Sequence, residues 1–239
     1  MSTDAALAAE LAAAAGRVLL DLRAGGLTGE ALGAAGDAAA NRLLIERLCA
    51  ERPDDAVLSE ESRDTPARLA HARVWIIDPL DGTREYREGR EDWAVHVALA
   101  VDGAPTAGAV ALPALGLVFR SDQPAVLAQP ADTPRVVVSR TRPPAEALAV
   151  AEALGGDLMA MGSAGAKAMA VVRGLAEIYL HAGGQHEWDS CAPVAVAQAH
   201  GLHCSRLDGS ALTYNNPDPY LPDLLICRPE WAERVLAAL

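Results

Sequence analysis

The sequence predicts a mixed α/β fold, with an α+β first half and an α/β second half. Two observations support this fold class. In the first half, residues 92–112 have the pattern of two strands around a turn at 102–103, which is typical of an antiparallel hairpin. From residue 135 onward, short apolar strand patterns alternate with helical patterns, which indicates strands packed between layers of helix.

Hydrophobic periodicity and turn residues define the elements of the first half. Residues 4–24 carry apolar positions at helical spacing and end before a Gly-Gly pair, so they predict a first helix. Asp37 can cap or open a second helix over 37–51, which has an apolar stripe. The predicted strands are 56–62, 74–78, the two strands within 92–112, 115–120 and 124–129.

The second half contains the alternating elements, and a loop at 129–134 separates it from the first. We therefore expect an N-terminal α+β lobe, residues 1–130, and a C-terminal α/β lobe, residues 131–239. The predicted strands of the second lobe are 135–140, 156–161, 176–181 and 223–228, and its predicted helices are 144–154, 165–174, 190–201 and 229–239.

The composition argues against several classes of partner. The chain has 239 residues and a formal net charge of −12, and it has no basic patch that would bind a nucleic-acid polymer or an anionic membrane. No apolar run is long enough to span a bilayer, and the alanine-rich N-terminus lacks the basic region of a signal peptide. The four cysteines form no C-x-x-C pair, which is typical of reduced thiols. We therefore expect a cytoplasmic protein.

The stretch WIIDPLDGTREYREGR, residues 75–90, is the most informative in the chain. It ends a hydrophobic strand on Asp78 and Asp81, with a proline between them and a glycine after them. Two like charges held this close destabilise each other unless they are protonated or bridged by a cation. Hard oxygen ligands at the end of a strand suit Mg²⁺, which keeps waters that a phosphate can replace. Glu60, after the preceding predicted strand, and Asp189, at the start of a helix, could complete the set.

Each acid also has a simpler explanation when it is taken alone. An isolated D-P-x-D is usually a turn, an isolated Glu-Glu pair is usually solvated, and an Asp that opens a helix is usually its N-cap. The order of these acids, with D-G-T attached, favours a metal site. Most of the candidate ligands lie in the first lobe, and Asp189 lies in the second lobe with the expected substrate pocket.

The same segments carry a resemblance to a known family. S-E-E-S at 59–62, W-I-I-D-P-L-D-G-T at 75–83, G-S-A-G at 162–165 and W-D at 188–189 resemble the inositol monophosphatase family, and the resemblance spans 37–227. It implies a layered α-β-α-β-α sandwich and a phosphatase that uses two or three Mg²⁺ ions. The segments R-E-Y, S-R-T-R-P, G-S-A-G-A-K and Y-N are similar to those of the CysQ-type 3′(2′),5′-bisphosphate nucleotidases within this family.

The resemblance implies a role for each matching residue. Five positions match metal ligands of the family: Glu60, Asp78, Asp81, Asp189 and the backbone carbonyl of Leu80. Thr83, with Glu60, matches the pair that orients the attacking water. Asp37 matches an acid that touches this water and helps to hold a weakly bound metal. The sequence departs from the family here, because it reads A-A-G-D at 34–37 where relatives carry T-x-A-D.

The expected substrate contacts come from both lobes. The backbone N–H groups of Gly82 and Thr83 can face phosphate oxygens. Lys167, the only lysine in the chain, could contact a second phosphate, although a lone lysine on a helix is usually solvated. Arg140 and Arg84 are further candidates, because the guanidinium fork suits phosphate. The remaining candidates are Asp189 and the small residues Gly162, Ser163 and Ala164, which allow close approach to a sugar or only cap a helix.

The resemblance also implies a reaction. The expected activity is Mg²⁺-dependent hydrolysis of the 3′-phosphate of adenosine 3′,5′-bisphosphate to AMP and phosphate, in sulfur metabolism, with water as the nucleophile. The alternatives are an inositol-1-phosphate or fructose-1,6-bisphosphate phosphatase, or an inactive relative that binds a nucleotide. Relatives are commonly dimers, so a homodimer is a further expectation.

Other residues give weaker expectations. His181, His186 and His203 match no zinc signature, so we expect no role as metal ligands for them. Cys191, two residues after Asp189, suggests redox control. We also expect the change Asp81→Asn to remove most turnover and to leave the fold nearly intact.

Overall fold

In the computed structural model, which describes residues 3–239, helices and sheets stack in five alternating layers, α-β-α-β-α. The expected layered sandwich is therefore confirmed. The helices in this range are α1 (Asp4–Ala24), α2 (Gly29–Glu51), α3 (Thr83–Arg87), α4 (Ala145–Leu154), α5 (Ala164–Val172), α6 (Glu187–Ala199) and α7 (Pro229–Ala237). The strands are β1 (Ala56–Ser59), β2 (Arg73–Asp81), β3 (Ala94–Val101), β4 (Ala104–Leu112), β5 (Leu117–Arg120), β6 (Arg135–Ser139), β7 (Asp157–Met161), β8 (Ile178–His186), β9 (His203–Ser205) and β10 (Tyr220–Cys227).

The first sheet has the strand order β1-β2-β3-β4-β5, in which β1 and β2 are parallel and the later pairs are antiparallel. Helices α1 and α2 cover one of its faces. Leu11 and Leu44 pack there in one apolar cluster with Trp75 and Val97, all fully buried. The Ala- and Leu-rich sequence of α1 suits this position, because small side chains let the helix lie close to the sheet.

The second sheet has the order β7-β6-β8-β10-β9 and is covered on both faces. Helices α5 and α6 lie between the two sheets, where Met169 and Val194 share one cluster with Ile76 and Ile226. Helices α4 and α7 cover the outer face, where Trp231 belongs to a third cluster. The central strands are nearly continuous apolar runs because both of their faces are buried.

Helix α2 corrects one expectation, because it begins at Gly29 and Asp37 lies inside it rather than at its start. The cause is tertiary packing. A β-carbon on Gly33 would lie 2.9 Å from the Thr83 methyl group, and one on Gly36 would lie 3.1 Å from the Leu80 side chain. The helix therefore uses glycines to approach the end of β2 closely, which outweighs their poor helix propensity.

Several strand predictions also need correction, and the strand predicted at 56–62 ends at Ser59. The segment 124–129 is not a strand, because it begins with a proline, another proline follows it at 130, and the Val126 side chain is exposed to solvent. β2 continues to Asp81, and β8 continues to His186 through two glycines with positive φ. β9 is a three-residue strand that the periodicity of the sequence did not indicate.

The position of the two sheets along the chain bears on the expected lobes. The first sheet ends at Arg120 and the second begins at Arg135, while the lobe boundary near residue 130 stays a prediction.

None of the helices within 3–239 combines the length and apolar character needed to cross a bilayer. All four cysteines are free thiols. The cytoplasmic location stays a prediction.

The packing of β4 against α6 yields a stability prediction. A β-carbon on Gly108 would lie 2.9 Å from that of Ala195, so we expect Gly108→Val to lower the free energy of unfolding by about 1–3 kcal/mol through overpacking. The exposed start of the same strand gives the control, because Ala104→Val should change it by less than about 0.5 kcal/mol. Chemical denaturation of both variants measures the difference, and equal stabilities would contradict this account of the interface.

Candidate active site

The end of β2 turns both of its aspartates into the interior. Asp78 pairs with His96 on β3 and Asp81 pairs with Ala94, so β2 advances three residues while β3 advances two. Such an irregularity re-aims side chains that would otherwise alternate between the two faces of the sheet. Pro79 falls inside it, where a missing backbone donor is tolerated. The side chains of Asp78 and Asp81 are both buried as a result.

Asp189 joins these two aspartates from the first turn of α6. Among the described residues, Asp78, Asp81 and Asp189 form a group whose candidate ligand atoms all lie within 4.8 Å of one another. Asp78 accepts a hydrogen bond from the Leu80 amide at 3.0 Å, and Asp189 accepts one from the His186 amide at 2.7 Å. The carboxylates are thus held in place by the backbone.

The crowding of these acids shows in their proton affinities. Burial, together with repulsion from Glu60 and Asp81, raises the pKa of Asp78 well above its ordinary value. Burial and the Asp81 charge raise the pKa of Asp189 to about 6. Partial desolvation and repulsion from Asp189 raise the pKa of Glu60 to about 7, although part of its side chain is exposed. A divalent cation relieves this repulsion, and a set of carboxylate oxygens suits a hard ion, so the donor set fits a metal centre.

Asp81 differs from the other acids because it is surrounded by donors. Its Oδ2 accepts from the Ser163 hydroxyl at 2.5 Å and from the Gly165 amide at 2.6 Å, and its Oδ1 accepts from the Ala164 amide at 3.1 Å. Burial alone would raise the pKa of Asp81, but His96 beside it, the Ser163 bond and the Lys167 charge lower it below its ordinary value.

This network changes the expectation for Asp81→Asn. An asparagine side chain keeps one acceptor oxygen and places an NH₂ group among donors. The start of α5 would then lose part of its attachment to β2. We therefore expect this substitution to weaken the fold as well as the site, and Asp78 is the better position for a test.

His96 is a component of the site that the sequence did not reveal. Its ring is fully buried, with Nε2 at 3.2 Å from Asp81 Oδ2 and Nδ1 at 2.9 Å from the Trp188 carbonyl oxygen. A β-carbon on Gly165 would lie 2.0 Å from Nε2, so the glycine is required for α5 to approach this ring. The only signal in the sequence was a polar residue within an apolar strand. On the backbone His96 lies opposite Asp78 in the neighbouring strand, and no local sequence pattern specifies this strand register.

The residues expected to orient water lie together at the end of β2. The Thr83 hydroxyl is 3.1 Å from the Leu80 carbonyl oxygen and 3.4 Å from Asp37 Oδ1. Desolvation and repulsion from Glu61 raise the pKa of Asp37 to about 6. Glu60 shares a hydrogen bond with Asp78 but lies outside the group of three aspartates. These positions are compatible with the expected roles, which remain predictions.

A cleft of about 260 Å³ contains most of the expected substrate contacts. It is lined by Gly82, Thr83, Arg84, Glu85, Ser139, Arg140, Thr141, Arg142, Met161, Gly162, Ser163 and Lys167. Ala164 and Asp189 are not among these lining residues: Asp189 belongs to the acid cluster, and the Ala164 amide donates to Asp81 in that cluster. Gly162 is needed for close packing, because a β-carbon there would lie 2.2 Å from Glu85 Cγ.

The cations of this cleft differ in their surroundings. Lys167 is buried rather than solvated, and its ammonium donates to the Ser163 carbonyl at 2.6 Å. Arg140 donates to Glu85 at 2.7 Å and to Glu88 at 2.9 Å, so acids already hold its guanidinium. The side chains of Arg84 and Arg142 are exposed. Arg142 is a lining cation that the sequence analysis did not select.

His186, His203 and Cys191 were also considered in the sequence analysis. The backbone of His186 caps α6, and its ring stacks on Trp188 with the ring centroids 4.7 Å apart. His203 contacts the Ser205 hydroxyl at 2.9 Å. Cys191 is fully buried, and burial raises the pKa of its thiol well above the ordinary value. A buried neutral thiol reacts slowly, so redox control through Cys191 is disfavoured.

With this geometry established, the chain was compared with known proteins. The family model described as "Inositol monophosphatase family" matches residues 1–239. The chain belongs to the inositol monophosphatase family. A Mycobacterium bovis protein named 3′-phosphoadenosine 5′-phosphate phosphatase is 57% identical over 237 residues, which cover 94% of this chain and 89% of that protein. Escherichia coli 3′(2′),5′-bisphosphate nucleotidase CysQ is 30% identical, with 78% of this chain and 81% of that protein covered.

Solved structures of this family share the fold. Inositol monophosphatase II from Staphylococcus aureus superposes with a TM-score of 0.82 at 20% identity, over 95% of this chain and 91% of that one. CysQ from Bacteroides thetaiotaomicron superposes with a TM-score of 0.81 at 23% identity, over 93% of this chain and 96% of that one. At these identities the structural likeness shows the shared layered sandwich.

The contact between His96 and Asp81 predicts an unusual titration. Burial lowers the pKa of His96, but the Asp81 carboxylate outweighs burial and raises it above the ordinary 6.5. The stabilisation from this raised pKa is therefore present below the ordinary pKa and is lost as the pH rises through the raised value. In NMR titrations of the metal-free protein, the His96 ring should stay protonated at pH values where ordinary histidines are neutral.

A variant supplies the comparison for this titration. In Asp81→Asn the partner charge is absent and burial acts alone, so the pKa of His96 should fall below its ordinary value. An unchanged His96 titration in that variant would contradict the assigned pairing, provided that the protein remains folded.

Proposed function

We propose that this protein is a Mg²⁺-dependent phosphomonoesterase that hydrolyses the 3′-phosphate of adenosine 3′,5′-bisphosphate to AMP and phosphate. The observation that carries the proposal is the convergence of the buried Asp78 and Asp81 with the half-buried Asp189 next to a cleft with several cations. Substrate identity rests on relatives at 57% and 54% identity, from M. bovis and Mycobacterium leprae, which are named 3′-phosphoadenosine 5′-phosphate phosphatase.

The metal centre would be held by the acid cluster. The proposed ligands are Asp78, Asp81, Asp189, Glu60 and the backbone carbonyl of Leu80. When two or three Mg²⁺ ions are bound, they neutralise these acids, polarise the phosphoryl group and lower the pKa of a coordinated water. The excess of acids in a protein of net charge −12 is then compatible with an anionic substrate.

The residues of the chain position the water and receive its proton. We assign proton acceptance to Glu60, with the hydroxyl of Thr83 orienting the water. Thr83 is held by the Leu80 carbonyl and Asp37, at 3.1 and 3.4 Å. No covalent intermediate is needed, because attack in line with the leaving oxygen requires positioning and charge stabilisation.

The second phosphate of the substrate would lie in the cleft beside the acid cluster. Ser163 connects the two regions, because its hydroxyl binds Asp81 and its carbonyl accepts from Lys167. Lys167 is the proposed direct contact, with Arg142 and Arg84 at the exposed rim. Arg140 can contribute only if the phosphate competes with Glu85 and Glu88 for its guanidinium.

Three further statements belong to this proposal. The enzyme would work in the cytoplasm, which agrees with its four free thiols. It would remove the by-product of sulfate activation and sulfotransfer. Its assembly as a homodimer would follow the common state of relatives.

A comparison of substrates tests the function. Phosphate release from adenosine 3′,5′-bisphosphate, inositol 1-phosphate and fructose 1,6-bisphosphate should be measured with and without Mg²⁺. We expect the highest kcat/KM for the nucleotide and no appreciable turnover without the metal. The highest kcat/KM for the inositol or sugar ester would overturn the substrate assignment, and binding without turnover would favour an inactive relative.

The crowded acids give a prediction about Asp78. The change Asp78→Asn removes one of the repelling charges, so the metal-free variant should melt at or above the wild-type temperature. The loss of a ligand should lower kcat/KM by at least about 100-fold. Mg²⁺ should raise the melting temperature of the wild type by mass action and that of the variant much less.

The control for this prediction is Asp157→Asn, which changes an exposed acid on β7. Differential scanning fluorimetry and a phosphate-release assay give the two measurements. If Asp78→Asn keeps both the Mg²⁺-dependent shift in melting temperature and the wild-type rate, Asp78 is not a metal ligand.

A further inference from the structure

Segment 60–67 carries Glu60, the proposed proton acceptor, on an exposed part of the chain. Every residue from 60 to 67 is exposed, whereas Ser59 before the segment and Arg68 after it are buried. An exposed stretch without buried apolar contacts belongs to the least stable parts of a fold, and hydrogen bonds at its ends decide where it lies. The position of Glu60 relative to the aspartates therefore depends on how this segment is attached.

The backbone places Glu60 next to the acid cluster. Ser59 lies opposite Ile77 in the parallel pair of β1 and β2, and the Glu60 amide donates to the Ile77 carbonyl at 3.3 Å. Glu60 therefore runs beside Asp78, which belongs to the same acid group as Asp189. A shift of the segment would move the Glu60 carboxylate away from both of these acids.

Asn41 on α2 holds the first end of the segment. Its side-chain amide donates to the Ser62 hydroxyl at 3.1 Å and to the Glu61 carbonyl at 3.4 Å. Its oxygen accepts from the Ser59 hydroxyl at 2.8 Å. These contacts reach no further than Ser62, so the rest of the segment depends on an attachment at its other end.

Arg68 supplies that second attachment. Its guanidinium forms a fork with Asp64, in which Nε and Nη2 lie 2.8 and 2.9 Å from the two carboxylate oxygens. The same group donates through Nη1 to Asn215 Oδ1 at 2.7 Å and through Nη2 to the Asn216 carbonyl at 2.8 Å. A planar guanidinium suits this arrangement because its donors point in fixed directions. One buried cation thus joins the segment to the loop before β10.

The loop that receives Arg68 is itself held by the start of α6. Asn215 has a φ of 60°, a left-handed conformation that asparagine adopts more readily than most residues. The amides of Asn215 and Asn216 each donate to the Glu187 carboxylate at 2.7 Å, and the Asn216 side chain adds a third bond at 2.8 Å. Glu187 is fully buried and is the first residue of α6, two positions before Asp189.

Tyr214 holds the same loop from its other side. Its amide donates to the Gly103 carbonyl at 3.0 Å, and its hydroxyl lies 3.2 Å from that of Ser190 on α6. The Y-N segment that the sequence analysis singled out is absent from the lining of the substrate cleft. Its position instead makes the loop a fixed base to which Arg68 attaches segment 60–67.

We propose that Arg68 is a positioning residue for Glu60: by joining Asp64 to the loop that Glu187 holds, it keeps segment 60–67 against the start of α6 and the Glu60 carboxylate beside the acid cluster. The inference rests on the proposed function, because it uses the role of Glu60 in the reaction. Arg68 acts through the fork of its guanidinium, and a lysine would keep the charge but lose the fork.

Two variants of Arg68 give the kinetic test, with phosphate release from adenosine 3′,5′-bisphosphate in the presence of Mg²⁺ as the assay. Arg68→Gln removes the charge and the fork, and Arg68→Lys removes only the fork. We expect both to lower kcat by about 10- to 100-fold, the effect of a small misplacement of a reacting group. KM should stay within about twofold of the wild type, because the substrate cleft is unchanged. A wild-type kcat in Arg68→Lys would overturn the inference.

Asn215→Gly is a milder variant that tests the same link if Arg68→Gln does not fold. Glycine adopts a positive φ without strain, so the backbone bond from residue 215 to Glu187 is kept. The side-chain oxygen that binds Arg68 is lost. We expect kcat to fall by about threefold to tenfold, the size of one hydrogen bond, at an unchanged KM. A wild-type kcat in this variant would contradict the link.

Hydrogen exchange of the metal-free protein gives a readout that needs neither metal nor substrate. In Arg68→Gln the amides of segment 60–67 should exchange faster than in the wild type, while those of α5 should exchange at the wild-type rate. The control is Arg63→Gln, which changes an exposed cation of the same segment and should leave both exchange and kcat unaltered. Unaltered exchange of segment 60–67 in Arg68→Gln, or faster exchange throughout the protein, would overturn the inference.

The outcomes separate this inference from the proposed function. If the wild type prefers adenosine 3′,5′-bisphosphate and the Arg68 variants keep its kcat, the role of Arg68 is wrong and the proposed function stands. If the wild type instead prefers inositol 1-phosphate, the substrate assignment fails, and the same variants assayed with that ester decide the role of Arg68.

Discussion

The Asp81 carboxylate is the interaction on which the site depends. It lies at the end of β2, accepts two backbone N–H groups and a hydroxyl from the start of α5, and contacts His96 on β3. His96 in turn contacts the Trp188 carbonyl at the start of α6, directly before Asp189. One buried negative charge thus links two helices and two strands, and it fixes the position of a second acid at the same time. Buried charges are tolerated when several donors surround them, and that condition is met here.

The same cluster lowers the stability of the metal-free protein. Burial and neighbouring acids raise the pKa values of Asp78 and Asp189. Without a metal, the acids of the site are therefore either protonated or strongly repel one another. A site that is complete only when cations are present exchanges stability of the free protein for affinity toward the metal. The backbone hydrogen bonds to both side chains limit the ways in which the free acids can relax apart. The metal would therefore find its ligands already in place.

The cleft next to the cluster supplies local cations in a protein that is acidic overall. The chain has 20 basic and 32 acidic residues, so an anionic substrate cannot rely on the overall field. Lys167 is buried and Arg140 is paired with Glu85 and Glu88, which restrains both cations without removing them from the wall.

The sequence by itself determined the alternation of elements, the acids and their order along the chain, because strand and turn patterns and the D-P-L-D-G-T segment are local features. Three of the candidate ligands, Asp78, Asp81 and Asp189, lie together in the structure, and Lys167 and Arg140 line the adjoining cleft, while their roles stay predictions. Tertiary structure alone decided how they meet. Helix α2 begins at Gly29 because its glycines pack against the end of β2, and this packing brings Asp37 to Thr83. The contact of His96 with Asp81 depends on strand register and on the contact between layers. These are long-range relations, and no local pattern in the sequence specifies them.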